Sequence, residues 1–263
     1  MNPPAQPPPG ERRPDRGRTG GHREPGEGYR TGQESRSPGR GARPSVTVMT
    51  TTTSTTIDSI VLEVGEVADV AGAEAFYAAL GLADRVHVRP AEAPTSGFRG
   101  YTLSLVVAQP GNVDAFVRAA LEGGATVVKP ASRSFWGYGG VVRAPDGAVW
   151  QVATSVKKDT GPAALVYEDL VLLLGVEQVK TTKQFYVDHG LVVAKSFGSK
   201  YVEFESSGRG ISLALYTRRA AAKAAGVDPA GSGSHRIVVR SGAGAFTDPD
   251  GFVWETSTAD RLG

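Results

Sequence analysis

Two stretches of the chain repeat one pattern with a single chemical difference. DPDGFVWET runs from Asp248 to Thr256, and APDGAVWQV runs from Ala144 to Val152. In an extended strand successive side chains alternate between faces, so Trp150 and Trp254 point one way and Gln151 and Glu255 the other. Gln151 offers an amide that donates and accepts hydrogen bonds, whereas Glu255 offers a carboxylate that can hold a cation or move a proton. Glu63, in the run SIVLEVG from Ser59 to Gly65, shares a face with Ser59 and Val61, while Ile60, Leu62 and Val64 take the other. A carboxylate beside Val61 in a dry pocket has its pKa raised, the preparation of a general base. The alternative for Glu63 is contact with solvent or with an arginine at a rim.

Other chemistries find fewer residues. The chain has four histidines and no cysteine, which excludes disulfides, thiolate zinc sites and cysteine nucleophiles. His22, His189 and His235 fall where surface or capping roles are expected. His87, in RVHVR, alternates with Val86 and Val88 and can face the same side as Glu63. There is no Gly-x-Ser-x-Gly elbow, and Gly231-Ser232-Gly233-Ser234 lacks a phosphate-loop lysine. The stretch Ser132 to Gly140, SRSFWGYGG, sets Phe135, Trp136 and Tyr138 among glycines. It reads either as a stacking lid over a ligand or as a cover for a seam, with Trp136 central to both.

These residues must be held by something, and composition divides the chain. Residues 1–48 are rich in Pro, Gly and Arg and nearly free of large apolar side chains, so they read as a disordered tail that cannot offset its chain entropy. Nine arginines against five acidic residues give this tail a net +4, leaving −2 for the rest of a chain whose total is +2. Met49 is a candidate start, with the tail upstream of it. Interspersed acids and the lack of an aromatic platform argue against nucleic-acid binding. No apolar run reaches the length of a membrane span and no signal-peptide core is present, so a cytoplasmic protein is expected.

The remainder is an internal duplication of about 100 residues. SIVLEVG at Ser59 answers DLVLLLG at Asp169, Phe76-Tyr77 answers Phe185-Tyr186, Gly81-Leu82 answers Gly190-Leu191, and Trp150 answers Trp254. Each copy reads as a β-branched strand (57–64; 166–174), a helix carrying the Phe-Tyr pair on its apolar face (70–80; 179–189), and two more strands. A second helix follows (113–122; 218–225), and then a Pro-Asp-Gly turn into the Trp strand. The expected organisation is a first module at 57–157 and a second at 164–258.

In this order, twice over, the motifs resemble the vicinal oxygen chelate superfamily, which includes glyoxalase I, extradiol dioxygenases and the fosfomycin and bleomycin resistance proteins. The resemblance covers about Ile57 to Thr258. It implies an α+β fold in which two tandem βαβββ modules form a cupped, eight-stranded mixed sheet. It also implies a divalent metal held by one residue from the first and one from the last strand of each module. The matching positions here are Ser59, Gln151, Asp169 and Glu255. The set lacks imidazole, and its two carboxylates and one amide suit Mg²⁺ or Mn²⁺ better than Zn²⁺. Val61, Glu63, His87, Trp136, Tyr138, Val171 and Leu173 are the expected ligand-binding residues, with Glu63 and Glu255 the candidates for catalysis. The expected function is binding or sequestration of a small organic molecule without a tightly bound metal, by a monomer or homodimer, as in bleomycin-resistance-type members. The alternative is a metal-dependent glyoxalase-like lyase or isomerase, or a dioxygenase.

Overall fold

The computed structural model describes residues 55–65, 67–206 and 210–257; the arginine-rich stretch at 1–48 and Met49 lie outside them. The first part of the chain runs β1 (Ile57–Val64), α1 (Val67–Ala79), β2 (Val86–Pro90), β3 (Thr95–Gly97) and β4 (Tyr101–Val106). It continues through α2 (Pro110–Glu122) into β5 (Thr126–Ser134), β6 (Gly137–Arg143) and β7 (Val149–Thr154). The second part runs β8 (Asp169–Val176), α3 (Val179–Asp188), β9 (Val193–Ser196), β10 (Tyr201–Phe204), β11 (Ser212–Thr217) and α4 (Arg218–Ala225). It closes with β12 (Gly231–Gly233), β13 (Ile237–Ser241), β14 (Phe246–Thr247) and β15 (Val253–Thr256).

An eight-stranded mixed sheet in the order β5-β6-β7-β4-β8-β11-β10-β9 dominates the fold. Its halves have one design. β4-α2-β5-β6-β7 and β8-α3-β9-β10-β11 are both βαβββ units in which the first strand lies parallel to the last. The two first strands, β4 and β8, pair antiparallel at the centre. The internal repeat at 57–157 and 164–258 cuts across this sheet. Its outer pieces, β1 and β2 from one end and β13 to β15 from the other, form a second sheet in the order β14-β15-β13-β1-β2.

One contiguous core serves both sheets. It contains Ile60, Leu62, Val239 and Trp254 from the five-stranded sheet and Leu103, Leu105, Trp150, Leu172 and Leu174 from the eight-stranded one. Phe76 and Tyr77 of α1, Phe116 of α2 and Tyr186 of α3 fill the space between them. The repeated turns are pinned to this core by tyrosines. Tyr77 donates to Asp146 Oδ2 at 2.8 Å, and Tyr186 donates to Asp248 Oδ2 at 2.6 Å. Trp150 and Trp254 are buried, and their neighbours Gln151 and Glu255 are half-buried on the opposite face, as strand alternation requires.

Helix α4 departs from the pattern. The sequence places it as the counterpart of α2, but α2 packs large side chains, Val113 and Phe116, into the main core, whereas α4 lies on the other face of the eight-stranded sheet. Its buried residues are Ala221, Ala222 and Ala225, which meet Leu173, Ala214, Val141 and Val149. Small side chains let the helix approach closely. A Cβ on Gly175 would stand 3.0 Å from the Arg218 Cα and 3.0 Å from the Gly100 carbonyl oxygen. The helix is bounded by Thr217, whose hydroxyl accepts from the Ala220 N–H, and by Gly226 at a φ of 78°, both standard cap chemistry. Ala222→Leu is therefore expected to overpack this contact and cost about 2 kcal/mol, read as a lower urea midpoint at unchanged slope. A neutral result would show that α4 does not rest on the sheet.

Candidate functional site

With α4 covering one end, the concave face of the eight-stranded sheet stays open towards the start of β8. Four residues lie in one register row across the four central strands: Gln151 on β7 opposite Ser104 on β4, Ser104 opposite Val171 on β8, and Val171 opposite Ser212 on β11. All four are half-buried. Asp169, two residues before Val171 and so on the same face, receives the Ser212 hydroxyl, which lies 3.0 and 2.9 Å from its two oxygens. Burial pushes the Asp169 carboxyl up. Hydrogen bonds from Ser212 and from the Leu170 N–H pull it partly back, and Glu203 adds a push of the same sign as burial. Glu203 of β10 accepts from the Tyr201 hydroxyl at 3.2 Å and pairs with Lys195 at 3.4 Å. Tyr201 stacks obliquely on Tyr216, with ring centroids 4.9 Å apart. The result is a trough with a polar, acceptor-rich floor.

Asp169 and Val171 were readable as residues of this floor; Ser104 and Ser212 were not singled out. A signal for them was present, because each is a serine set between two large aliphatic residues, in LSL and ISL. Leu173, also expected to line a ligand, is only 3% exposed and packs under α4 with Ala214 and Ala221, so the helix closes that part of the face.

The five-stranded sheet holds a different constellation. Ser59, Arg240 and Glu255 share one register row across β1, β13 and β15, and Glu63 lies beside Arg89 on the neighbouring β2. The Arg89 guanidinium donates from Nε (3.1 Å) and Nη2 (2.8 Å) to Glu63 Oε1, and from Nη1 (2.9 Å) to Glu255 Oε1. Arg240 Nε reaches the other Glu255 oxygen at 3.4 Å. The Arg89 hydrogen bond leads the effects that hold Glu255 below the usual carboxylate range, with burial opposing it and Arg240 assisting. Of the two roles open to Glu63, the structure shows the ion pair. Val61 is buried and His87 exposed.

The four positions matched to metal ligands are thus divided, with Ser59 and Glu255 on the five-stranded sheet and Gln151 and Asp169 on the eight-stranded one. Glu255 already meets two guanidinium groups, which places positive charge where a cation would have to sit. Applied to the βαβββ units that build the larger sheet, the rule of first and last strands points to Ser104, Gln151, Asp169 and Ser212. One carboxylate, one amide and two hydroxyls do not fit a tightly held divalent ion. Among the described residues no group of three or more His, Cys, Asp or Glu side chains is placed to hold a metal.

SRSFWGYGG forms the tip of the β5–β6 hairpin at the sheet edge. Phe135 and Trp136 meet edge to face at 5.0 Å, and they are 80% and 41% exposed. Tyr138 falls on the opposite face from Val141 and Gln151, and its hydroxyl donates to Asp114 of α2 at 2.8 Å.

In the larger sheet each unit's first and last strands meet at the centre, and two such units pair through their first strands. The fold resembles that of the vicinal oxygen chelate superfamily. Among solved structures, the chain is similar to glyoxalase I from Zea mays at 11% identity, covering 76% of this chain and 91% of that one, with a TM-score of 0.49. It is similar to the Mn(II)-bound glyoxalase from Novosphingobium aromaticivorans at 17% identity, covering 76% and 81%, with a TM-score of 0.25. It is also similar to a variant of homoprotocatechuate 2,3-dioxygenase from B. fuscum, at 13% identity, covering 62% and 53%, with a TM-score of 0.25. No protein-family model and no curated protein matches the sequence. No helix among the described residues is long and apolar enough to cross a membrane.

Proposed function

We propose that the chain is a cytoplasmic binding protein for a small organic molecule, which it takes on the concave face of the eight-stranded sheet without a tightly held metal. The observation that carries this reading is the Ser212–Asp169 pair on the half-buried row of Gln151, Ser104 and Val171. A polar row in the middle of otherwise apolar strands costs stability unless its groups find partners, and acceptors such as Asp169 and Gln151 favour a ligand rich in hydrogen-bond donors. Val171 and Tyr201 supply apolar contact beside them.

The test is an NMR titration of the full chain with small amines and catechols, run together with metal analysis of protein purified without chelator. Saturable shifts at Gln151, Val171 and Ser212 that weaken about tenfold or more in Asp169→Asn, the loss of one charge-assisted hydrogen bond, are the expected result. Shifts that are absent, or indifferent to Asp169→Asn, would sink the trough as the site. Stoichiometric metal lost in the same variant would instead support a metal-dependent lyase, isomerase or dioxygenase.

A further inference from the structure

At the other end of β4 from the trough, beyond the C-terminus of α4, lies a cavity of about 220 Å³. Its walls come from the segment before β4, the first Pro-Asp-Gly turn and the stretch that follows α4. Phe98, Val149 and Val227 give it apolar surface, and Arg143 stands beside Val149 in the β6–β7 pairing. Arg99 and Tyr101 also line it, together with the exposed Asp228, whose carboxylate accepts the Ala230 N–H at 2.7 Å.

Two of these polar groups, Arg99 Nη1 and the Tyr101 hydroxyl, are buried with no well-formed hydrogen bond among the described residues, and the two side chains interact with each other. Buried donors are nearly always paired; Nη1 carries two N–H groups, of which the Tyr101 oxygen can take one, so a donor on the cavity wall is left for a partner the chain does not supply. Arg99 is not free to swing out to solvent. Its Nη2 donates to the Asp146 carbonyl, and its own carbonyl oxygen lies 2.5 Å from His235 Nδ1. The turn is shaped to admit it, since a Cβ on Gly147, at a φ of +88°, would stand 2.8 Å from Arg99 Nη2. Burial pushes the Tyr101 phenol up, with Arg99 pulling the other way, so the hydroxyl remains a donor. Arg143 is half-buried and has no ion pair among the described residues.

From this geometry we infer a second binding site, for a small organic acid whose carboxylate accepts from Arg99, Tyr101 and Arg143 while a compact apolar body lies against Phe98, Val149 and Val227. The two arginines present N–H groups and have no ion pair among the described residues, which selects an anion over a neutral or basic ligand. The volume falls below the range of drug-sized pockets and admits about ten non-hydrogen atoms. An aromatic or short branched monocarboxylate meets all three conditions; inorganic phosphate meets only the charge.

The experiment is isothermal titration of the full chain with benzoate and, separately, with inorganic phosphate. Saturable benzoate binding is expected, weakened about tenfold or more in Arg143→Gln, with phosphate weaker than benzoate. Ala230→Phe, at an exposed position on the cavity wall, should abolish benzoate binding by filling the space, and it keeps the test decisive if Arg143→Gln unfolds. Absent benzoate binding, or binding untouched by either folded variant, overturns the site. Tighter binding of phosphate than of benzoate overturns the organic-acid assignment. Asp169→Asn should leave benzoate binding unchanged, which separates this site from the trough.

Discussion

Asp248→Ala should be the most damaging single substitution in the second turn, lowering stability by about 4 kcal/mol in urea unfolding. Asp248 is 5% exposed. It accepts the Tyr186 hydroxyl at 2.6 Å, the Asp250 N–H at 2.9 Å and the Phe252 N–H at 2.8 Å. Removing the carboxylate leaves three donors without their acceptor, and Tyr186 is fully buried. The first half of the chain has alanine at the matching place, Ala144, and there Tyr77 turns to Asp146 instead. That escape is closed in the second half. The residue equivalent to Asp146 is Asp250, which already receives the Glu177 N–H at 2.6 Å and the Thr182 hydroxyl at 2.5 Å.

Asp248→Asn separates the loss of hydrogen bonds from the loss of charge. Burial pushes the Asp248 carboxyl up, against hydrogen bonds from Tyr186 and Phe252 that pull it down, so a neutral side chain suits the place. The asparagine variant keeps an acceptor for the turn and should cost only about 1 kcal/mol. The sign with pH follows from the raised value. The folded state holds its proton longer than the unfolded chain, so this group's contribution is full below the ordinary aspartate range and declines as pH rises through the raised folded value. Asp248→Asn should remove that decline, and equal losses in the alanine and asparagine variants would refute the turn argument.

The same residues show what could be read from the chain and what could not. The Tyr-Trp-turn units were legible because each is local: Phe-Tyr on a helical face, and Pro-Asp-Gly before an alternating strand. Alternation likewise fixed which way Gln151, Glu63 and Glu255 point. Strand partnership was not legible, because alternation assigns a face but no neighbour. β4 carries no Phe-Tyr helix behind it, so nothing local marked it as the first strand of a βαβββ unit, and Ser59 and Glu255 were grouped with residues of another sheet. The alanine run of α4 announced a helix, but its place on the concave face depends on the small residues it meets across the sheet. The glycines of Ser132 to Gly140 suggested freedom to cover a ligand or a seam, and they also permit close strand pairing: a Cβ on Gly139 would stand 2.8 Å from the Val152 carbonyl oxygen.

Arg89→Met is the second large effect expected, a loss of about 2 kcal/mol. Breaking a buried ion pair by removing one partner costs about 3–5 kcal/mol, and the figure is reduced here because the Arg89 side chain is 35% exposed. Most of the loss falls on Glu63, whose side chain is 11% exposed and whose Oε1 receives two of the three Arg89 hydrogen bonds. Glu255 keeps Arg240 and suffers less. Glu63→Gln in the Arg89→Met background should therefore recover part of the stability, since it removes the stranded charge, whereas Glu255→Gln in that background should recover little. The pH dependence supplies an independent reading with the opposite sign to that of Asp248. Glu255 is held below its ordinary range, so its contribution is present above the unfolded value and is lost as pH falls through the depressed folded one. Arg89→Met should flatten that acid limb. If it does not, and Glu63→Gln rescues nothing, the guanidinium is an ornament of the surface rather than the charge that occupies this face of the sheet.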